Sequence, residues 1–279
     1  MITQHFLFPG GKTKALTLSY DDGVKQDKRF AEILRKHGIK CTFNINGGRY
    51  LPDDPFSRTI GRCMSAQECV ALYQDDLFEV ACHGLHHPFL EQCDTAVATY
   101  EVLEDRRVLE SIFGKRIQGM AYPYGTYSDQ VVDILRCCGI LYCRTVESTH
   151  NFSMPSDWLR MGATCHHKDP QLMELAEKFC ALPATPRVPR LFYLWGHTYE
   201  FDDNDNWDVI ETFAEKMGGR DDIFYGTNIE IYNAWHDYLK LQSTADGQHI
   251  FNPTCRSVWI GEMNGNVYEI KPGETLHLK

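Results

Sequence analysis

The chain has 279 residues, 43% hydrophobic and 24% charged, with 38 acidic against 28 basic side chains and a formal charge of −10. That balance argues against a nucleic-acid or anionic-membrane surface, which would need clustered Lys and Arg. No apolar run nears the roughly 18 residues that span a bilayer. The opening run MITQHFLFPGGKTK has no basic stretch, long apolar core or small-residue cleavage site, so no secretory signal is expected and the reading is cytoplasmic. Eleven cysteines is an odd count with no C-x-x-C pair, and several sit inside apolar runs such as FEVACH and LYCRTV. Reduced thiols acting as small hydrophobes account for them.

In chain order, β-type and helix-type runs alternate. ALTLSY precedes KQDKRFAEILRKHG, whose apolar positions recur at helical spacing and which closes on Gly38. CTFNIN, the helix-like SAQECVALYQ and FEVACH follow, then ATYEVLEDRRVLESIFG, QGMAYP, SDQVVDILRCCG and LYCRTV. After an irregular stretch come LRMGATC, PQLMELAEKFCAL, LFYLWG, NWDVIETFAEKMGG and IFYGTN. Such β–α order implies a parallel sheet with helical crossovers, either open or closed into a barrel. Beyond about residue 240 the runs HIFNPT, SVWIGEM and NVYEIKPG are β-type, with Asn264-Gly265 as a hairpin turn. The expected organisation is therefore a βα unit over 1–240 and a small β extension over 241–279, packed on the same domain. The extension would cover an apolar barrel edge or wall a substrate cleft.

Polar residues cluster where strands end: Asp21-Asp22, then His83 to His87, then Pro123-Tyr124-Gly125, then His197. In a parallel βα fold those ends open onto one face, so four distant clusters converge. Two adjacent carboxylates repel and are costly to desolvate unless something positive sits beside them. His83 and His87, four residues apart, can face one side together, and with one carboxylate they make a three-ligand set with an open position. The second carboxylate could then act as general base, and His197 could protonate a leaving group. Zinc suits two imidazoles and a carboxylate best, and Co, Mn or Ni are compatible.

SYDDG, HGLHHP, YPYG and WGH stand in the order and approximate spacing of the polysaccharide deacetylase family, carbohydrate esterase family 4 (NodB-like), which the chain resembles over about residues 12–235. The resemblance implies a distorted (β/α) barrel of seven or eight parallel strands and metal-dependent removal of acetyl groups from an N-acetylated sugar or oligosaccharide. It also implies Asp22, His83 and His87 as metal ligands, Asp21 as base, the Tyr124 N–H as oxyanion donor and His197 as general acid. Family members acting on polymers carry an arginine where GMAYPYG has Ala121, and Arg144 of LYCRTV is the expected substitute, pairing with the base. Tyr20, Tyr122, Pro123 and Trp195 are candidate sugar contacts because they lie in or beside the motifs, and His167 because it follows the strand-like LRMGAT and would face the same site. Alternatives of another class are hydrolysis of some other amide or ester in a small metabolite, or sugar binding without turnover. The last is disfavoured because a binding module needs neither base nor acid. FDDNDNWD is not a calcium loop, since Trp207 and Phe213 stand where glycine and glutamate are required. It is expected to cap the following helix with negative charge.

Overall fold

A computed structural model describes residues 4–54, 56 and 62–278. The chain opens with β1 (His5–Leu7) and β2 (Lys14–Asp21), then α1 (Asp27–His37), β3 (Cys41–Ile45), α2 (Ala66–Tyr73) and β4 (Phe78–Cys82). It continues through α3 (Thr95–Phe113), β5 (Gly119–Ala121), α4 (Asp129–Cys137), β6 (Tyr142–Ser148), β7 (Met161–Ala163) and β8 (Cys165–His166). Then come α5 (Leu172–Ala181), β9 (Arg190–Gly196), α6 (Tyr199–Asp203), α7 (Trp207–Met217), β10 (Ile223–Tyr225) and α8 (Asn228–Leu239). Five short strands finish the chain: β11 (Gln242–Ser243), β12 (His249–Phe251), β13 (Val258–Gly261), β14 (Val267–Ile270) and β15 (Thr275–His277).

The main sheet is parallel, in the order β7-β6-β5-β4-β3-β2-β9-β8, with β10 beside the start of β2. Its two ends meet. β7 pairs with β6 and β8 with β9, yet the two are separated only by Thr164, whose N–H donates to the Tyr193 carbonyl at 2.8 Å. The sheet thus curls into a distorted barrel whose last seam is a broken ladder rather than a continuous one.

Strand periodicity sorts the side chains. Leu16, Leu18 and Tyr20 of β2, Cys41, Phe43 and Ile45 of β3, and Phe192 and Leu194 of β9 join the core shared with the surrounding helices. The alternate residues line the interior, where Thr17 donates to Asn228 at 2.9 Å and Tyr142 to Glu79 at 2.7 Å. Gly119 is required here, because a Cβ would lie 2.0 Å from the Tyr142 ring. Both faces of every central strand are thereby buried, which is why these runs read as near-continuously apolar.

Helix α8 enters the barrel at the end opposite Asp21, and Asn228 at its start accepts from Thr17 and donates to the Tyr193 hydroxyl at 2.8 Å. The sequence reading gave 228–239 no element. Its signal was the capping box Thr227/Glu230, masked by a run apolar on several sides. In the C-terminal segment, β13 pairs with β1 and β14, and β12 with β11 and β15, around Leu241, Ile250, Val258, Ile260 and Ile270. Arg256 bonds Asp237 of α8 at 2.6 Å. The segment therefore lies by β1 and α8, away from Asp21, and does not wall the cleft. The acidic run before α7 also differs from expectation: Asn206 makes no side-chain cap bond, and Asp202 instead accepts from Trp207 at 2.7 Å and Gln26 at 2.8 Å.

Candidate active site

Asp21 ends β2 on its interior face and is 2% exposed. Asn44, from the next strand, donates to Oδ1 at 2.8 Å, and the Arg144 guanidinium donates to Oδ2. Arg144 comes from β6, is buried, also donates to Ser19 and the Thr145 carbonyl at 3.2 Å each, and lies 4.3 Å over the Trp195 ring. Burial works to raise the Asp21 pKa, but the charges of Arg144, His83 and His197 overcome it and bring the carboxyl down to about 2.

Asp22 faces the opposite way along the chain, at φ 83, with its N–H on the Asn44 carbonyl at 2.9 Å. Its Oδ1 lies 3.4 Å from Arg49. His83 follows β4, and its backbone N–H is held by the buried Asp105 at 2.9 Å. Its Nδ1 lies 2.9 Å from the Ala121 carbonyl, so Nδ1 carries the proton and Nε2 presents a lone pair. Asn46 bonds the His83 and Gly84 carbonyls at 2.7 Å each, fixing the loop that returns His87 to the site. The Nε2 atoms of His83 and His87 lie 3.1 Å apart, and one donor atom each from Asp22, His83 and His87 falls within 4.8 Å of the others. Burial pushes both imidazoles down to about 4, so they are neutral at pH 7 and suited to ligation. This donor set fits a divalent ion of the zinc type.

Among the described residues five non-glycine positions have positive φ, and three are Asp22, His87 and Tyr124. Backbone strain of this kind persists only where the surroundings enforce it, and here it concentrates at the converging residues.

His197 follows β9. Its Nε2 is 3.7 Å from Asp21 Oδ2, and its Nδ1 is 3.5 Å from Glu200 Oε2. Glu200 is shared widely: Oε2 is 3.2 Å from His166 Nε2 and 3.1 Å from His167 Nε2, and Oε1 is 2.7 Å from Lys168 Nζ. The three imidazoles are close to Oε2 but none is aligned as a formed hydrogen bond. Burial would raise the Glu200 pKa, yet these neighbours hold it well below the carboxylate range. Burial pulls His197 down, and Glu200, Asp21 and Asp22 more than offset it, leaving its pKa raised. Gly196 has no room for a side chain, since a Cβ would sit 2.0 Å from His167 Nδ1.

Residues 9–143, just under half the chain, match the family model described as polysaccharide deacetylase. Over that stretch the chain is similar to the polysaccharide deacetylase family. A chitooligosaccharide deacetylase of Bradyrhizobium sp. (strain ANU 289) is 26% identical over 153 residues, 54% of this chain and 61% of that one. The chain thus spans under two thirds of that relative's length. In fold it is similar to a Mycobacterium smegmatis protein assigned provisionally to the polysaccharide deacetylases (TM-score 0.59, 15% identity, 84% of this chain and 93% of that one). It is also similar to a carbohydrate esterase family 4 pseudoenzyme from Bacillus anthracis (TM-score 0.51, 18% identity, 82% and 68%).

The structure brings together Asp21, Asp22, His83, His87, Arg144 and His197. It does not leave the expected sugar contacts accessible. Tyr20 and Tyr122 are buried, Tyr20 against Phe30 and Tyr122 with its hydroxyl on the Leu159 carbonyl at 2.8 Å. Pro123 is buried beneath its turn, Trp195 is covered by Arg144, and His167 stacks between Tyr20 and Phe201. Sequence reasoning missed Asn44, Asp105 and Glu200, which hold the others in place. No helix among the described residues is long and apolar enough to cross a membrane.

Proposed function

We propose that the chain is a metal-dependent hydrolase that removes acetyl groups from an N-acetylated sugar or oligosaccharide. The observation that carries this is Asp21: a buried, ionised carboxylate clamped by Arg144 and Asn44, with Oδ2 within 3.9 Å of His83 and 3.7 Å of His197. Asp22, His83 and His87 would hold the ion, zinc by preference. When bound, it polarises the acetamide carbonyl and acidifies water.

The chain's own residues supply the remaining steps. Asp21 takes the proton of the attacking water through Oδ2, while Arg144 on Oδ2 and Asn44 on Oδ1 fix the carboxylate's orientation. The Tyr124 N–H donates to the oxyanion that forms as water adds to the acetyl carbon. As the C–N bond breaks, His197 delivers a proton from Nε2 to the departing amine, leaving a free amino sugar and acetate. Glu200 faces Nδ1 and keeps the imidazole oriented for that transfer.

Acetate release by the zinc-loaded protein from N-acetylglucosamine and its short oligomers, with Asp21→Asn alongside, tests the reading. Release that the substitution abolishes supports it; zinc binding without release from any of them overturns it in favour of another amide or ester substrate.

A further inference from the structure

Asp27 is a buried carboxyl with no part in the proton transfers. It opens α1, is fully buried, and among the described residues no ion pair reaches it. Its oxygens accept from hydroxyls instead: Oδ2 from Tyr73 of α2 and Oδ1 from Thr198. Burying a carboxyl with no cation beside it is costly, and burial here pushes the pKa up to about 7. A carboxyl kept at that cost points to something it holds in place.

What it holds is the residue after His197. Thr198 is itself fully buried, stands in helical backbone (φ −71, ψ −27) at the start of α6, and makes no side-chain cap bond to that helix. Its hydroxyl crosses instead to Asp27. A helix of 5 residues is too short to hold itself, so α6 depends on such ties. A second tie, Gln26 Nε2 donating to Asp202 at 2.8 Å, is exposed, whereas water does not compete for the first. On the other side, the Asp27 N–H donates to the Val24 carbonyl at 3.0 Å, closing the turn that begins at Asp21-Asp22. The buried bond therefore joins the loops after the paired strands β2 and β9, one carrying Asp21 and the other His197. The His197 ring has little hold of its own: Nδ1 lies 3.5 Å from Glu200 and forms no hydrogen bond. Its place is set through the backbone.

We infer that Asp27 is a positioning residue: through the Thr198 hydroxyl it fixes the His197 backbone and the start of α6, and so keeps the His197 ring between Asp21 and Glu200. The inference rests on the deacetylase reading for what His197 does, and adds the group that sets where His197 stands. With the tie cut, α6 is free to shift and Nε2 to leave its place 3.7 Å from Asp21 Oδ2. Proton delivery then suffers, while Asp22, His83 and His87 are untouched.

The test compares wild type, Thr198→Val, Thr198→Ser and Asp27→Ala as zinc-loaded proteins. Thr198→Val keeps the shape and loses the hydroxyl. It is expected to lower kcat for an N-acetylglucosamine oligomer by up to about 100-fold, the cost of a misplacement of about 1 Å. KM and zinc affinity stay as in wild type, and Thr198→Ser restores kcat. Asp27→Ala with Thr198→Val is no worse than Asp27→Ala alone, because both remove the same bond. Unchanged kcat in Thr198→Val, or a loss that Thr198→Ser fails to restore, overturns the inference. The His197 titration, followed by NMR, needs no substrate. Glu200, Asp21 and Asp22 raise its pKa against burial, and the rings of His83, His166 and His167 also face it. Displacement from those anions in Thr198→Val is expected to lower the pKa, and Thr198→Ser to return it. That shift, in a protein that releases acetate from no N-acetylated sugar, keeps the positioning and removes the deacetylase reading. A His197 pKa indifferent to Thr198→Val removes the positioning, whatever the substrate.

Discussion

Two groups on the same rim share a composition of two histidines and a carboxylate: Asp22, His83 and His87 in one, and His166, His167 and Glu200 in the other. They differ in where the protons sit. His83 gives its Nδ1 proton to the Ala121 carbonyl, which turns an Nε2 lone pair toward Asp22 and His87. His166 does the reverse: its Nδ1 accepts the Lys168 backbone N–H at 3.0 Å, so Nε2 carries the proton toward Glu200. In the first group electron pairs converge and wait for a cation. In the second, one carboxylate is already surrounded by donors, with the Lys168 ammonium supplying the positive charge. Ligand-type residues at ligand-type spacing are thus insufficient, and the partner of the far ring nitrogen decides between a metal site and an anion-centred cluster.

The largest expected effect breaks the chemistry beside the first group. Asp21→Asn keeps the shape and removes the base, and turnover is expected to fall by about 10²–10⁴ with zinc still bound. Steady-state kinetics with zinc analysis of the same sample checks this; a loss of zinc would move Asp21 from base to ligand.

The contrast itself is sharpened by metal binding. A single ion per chain is expected, and His83→Ala is expected to weaken its affinity by more than about 100-fold, beyond what loss of an outer partner does. His166→Ala and His167→Ala should leave stoichiometry intact. Equilibrium dialysis with elemental analysis decides, and a second ion that His167→Ala abolishes would refute the distinction between the groups.

Arg144→Met strips the cation from a buried carboxylate, and loss of one partner of such a pair typically costs about 3–5 kcal/mol. The double variant Asp21→Asn/Arg144→Met should recover much of that, since no charge is then left unpaired. Denaturant unfolding of the three proteins measures it. The sign with pH follows from the depressed carboxyl: in wild type its contribution is complete above the unfolded value of about 3.9 and fades as pH falls toward about 2. Without Arg144 that window moves upward. Equal stability of wild type and Arg144→Met would mean the pair is not formed.

Much of this arrangement is legible as strand parity, and some misreadings are failures to apply it. Asp21 shares a face with Thr17 and Ser19, and Arg144 with Tyr142, so period two alone sends both into the barrel. The same parity places Tyr20 with Leu16 and Leu18 on the helix-facing side, where no sugar can reach it. Trp195 is interior by parity, but that Arg144 covers its face depends on a neighbour 51 positions away in sequence. Asn44, Asp105 and Glu200 carry no motif; each matters through a hydrogen bond or charge contact across the sheet or loops, which spacing does not encode. The proton positions that separate the two histidine groups are likewise set by backbone carbonyls and N–H groups, which are the same for every residue type.

The smallest effect expected concerns the second group's hold on the first. Glu200 Oε2 faces His197 Nδ1, and its negative charge is among those that raise the His197 pKa against burial. As general acid, His197 works while protonated, so activity falls on the alkaline side as pH rises through its pKa. Glu200→Gln removes the charge while keeping the size, lowers that pKa, and should move the descending limb toward acid. At a pH below both values the variant should match wild type, which a purely structural defect would not do. Because His166, His167 and Lys168 draw on the same carboxylate, Lys168→Met should move the limb the opposite way, by strengthening the field His197 feels. If both substitutions leave the limb in place, Glu200 orients nothing, and the two groups are neighbours without being coupled.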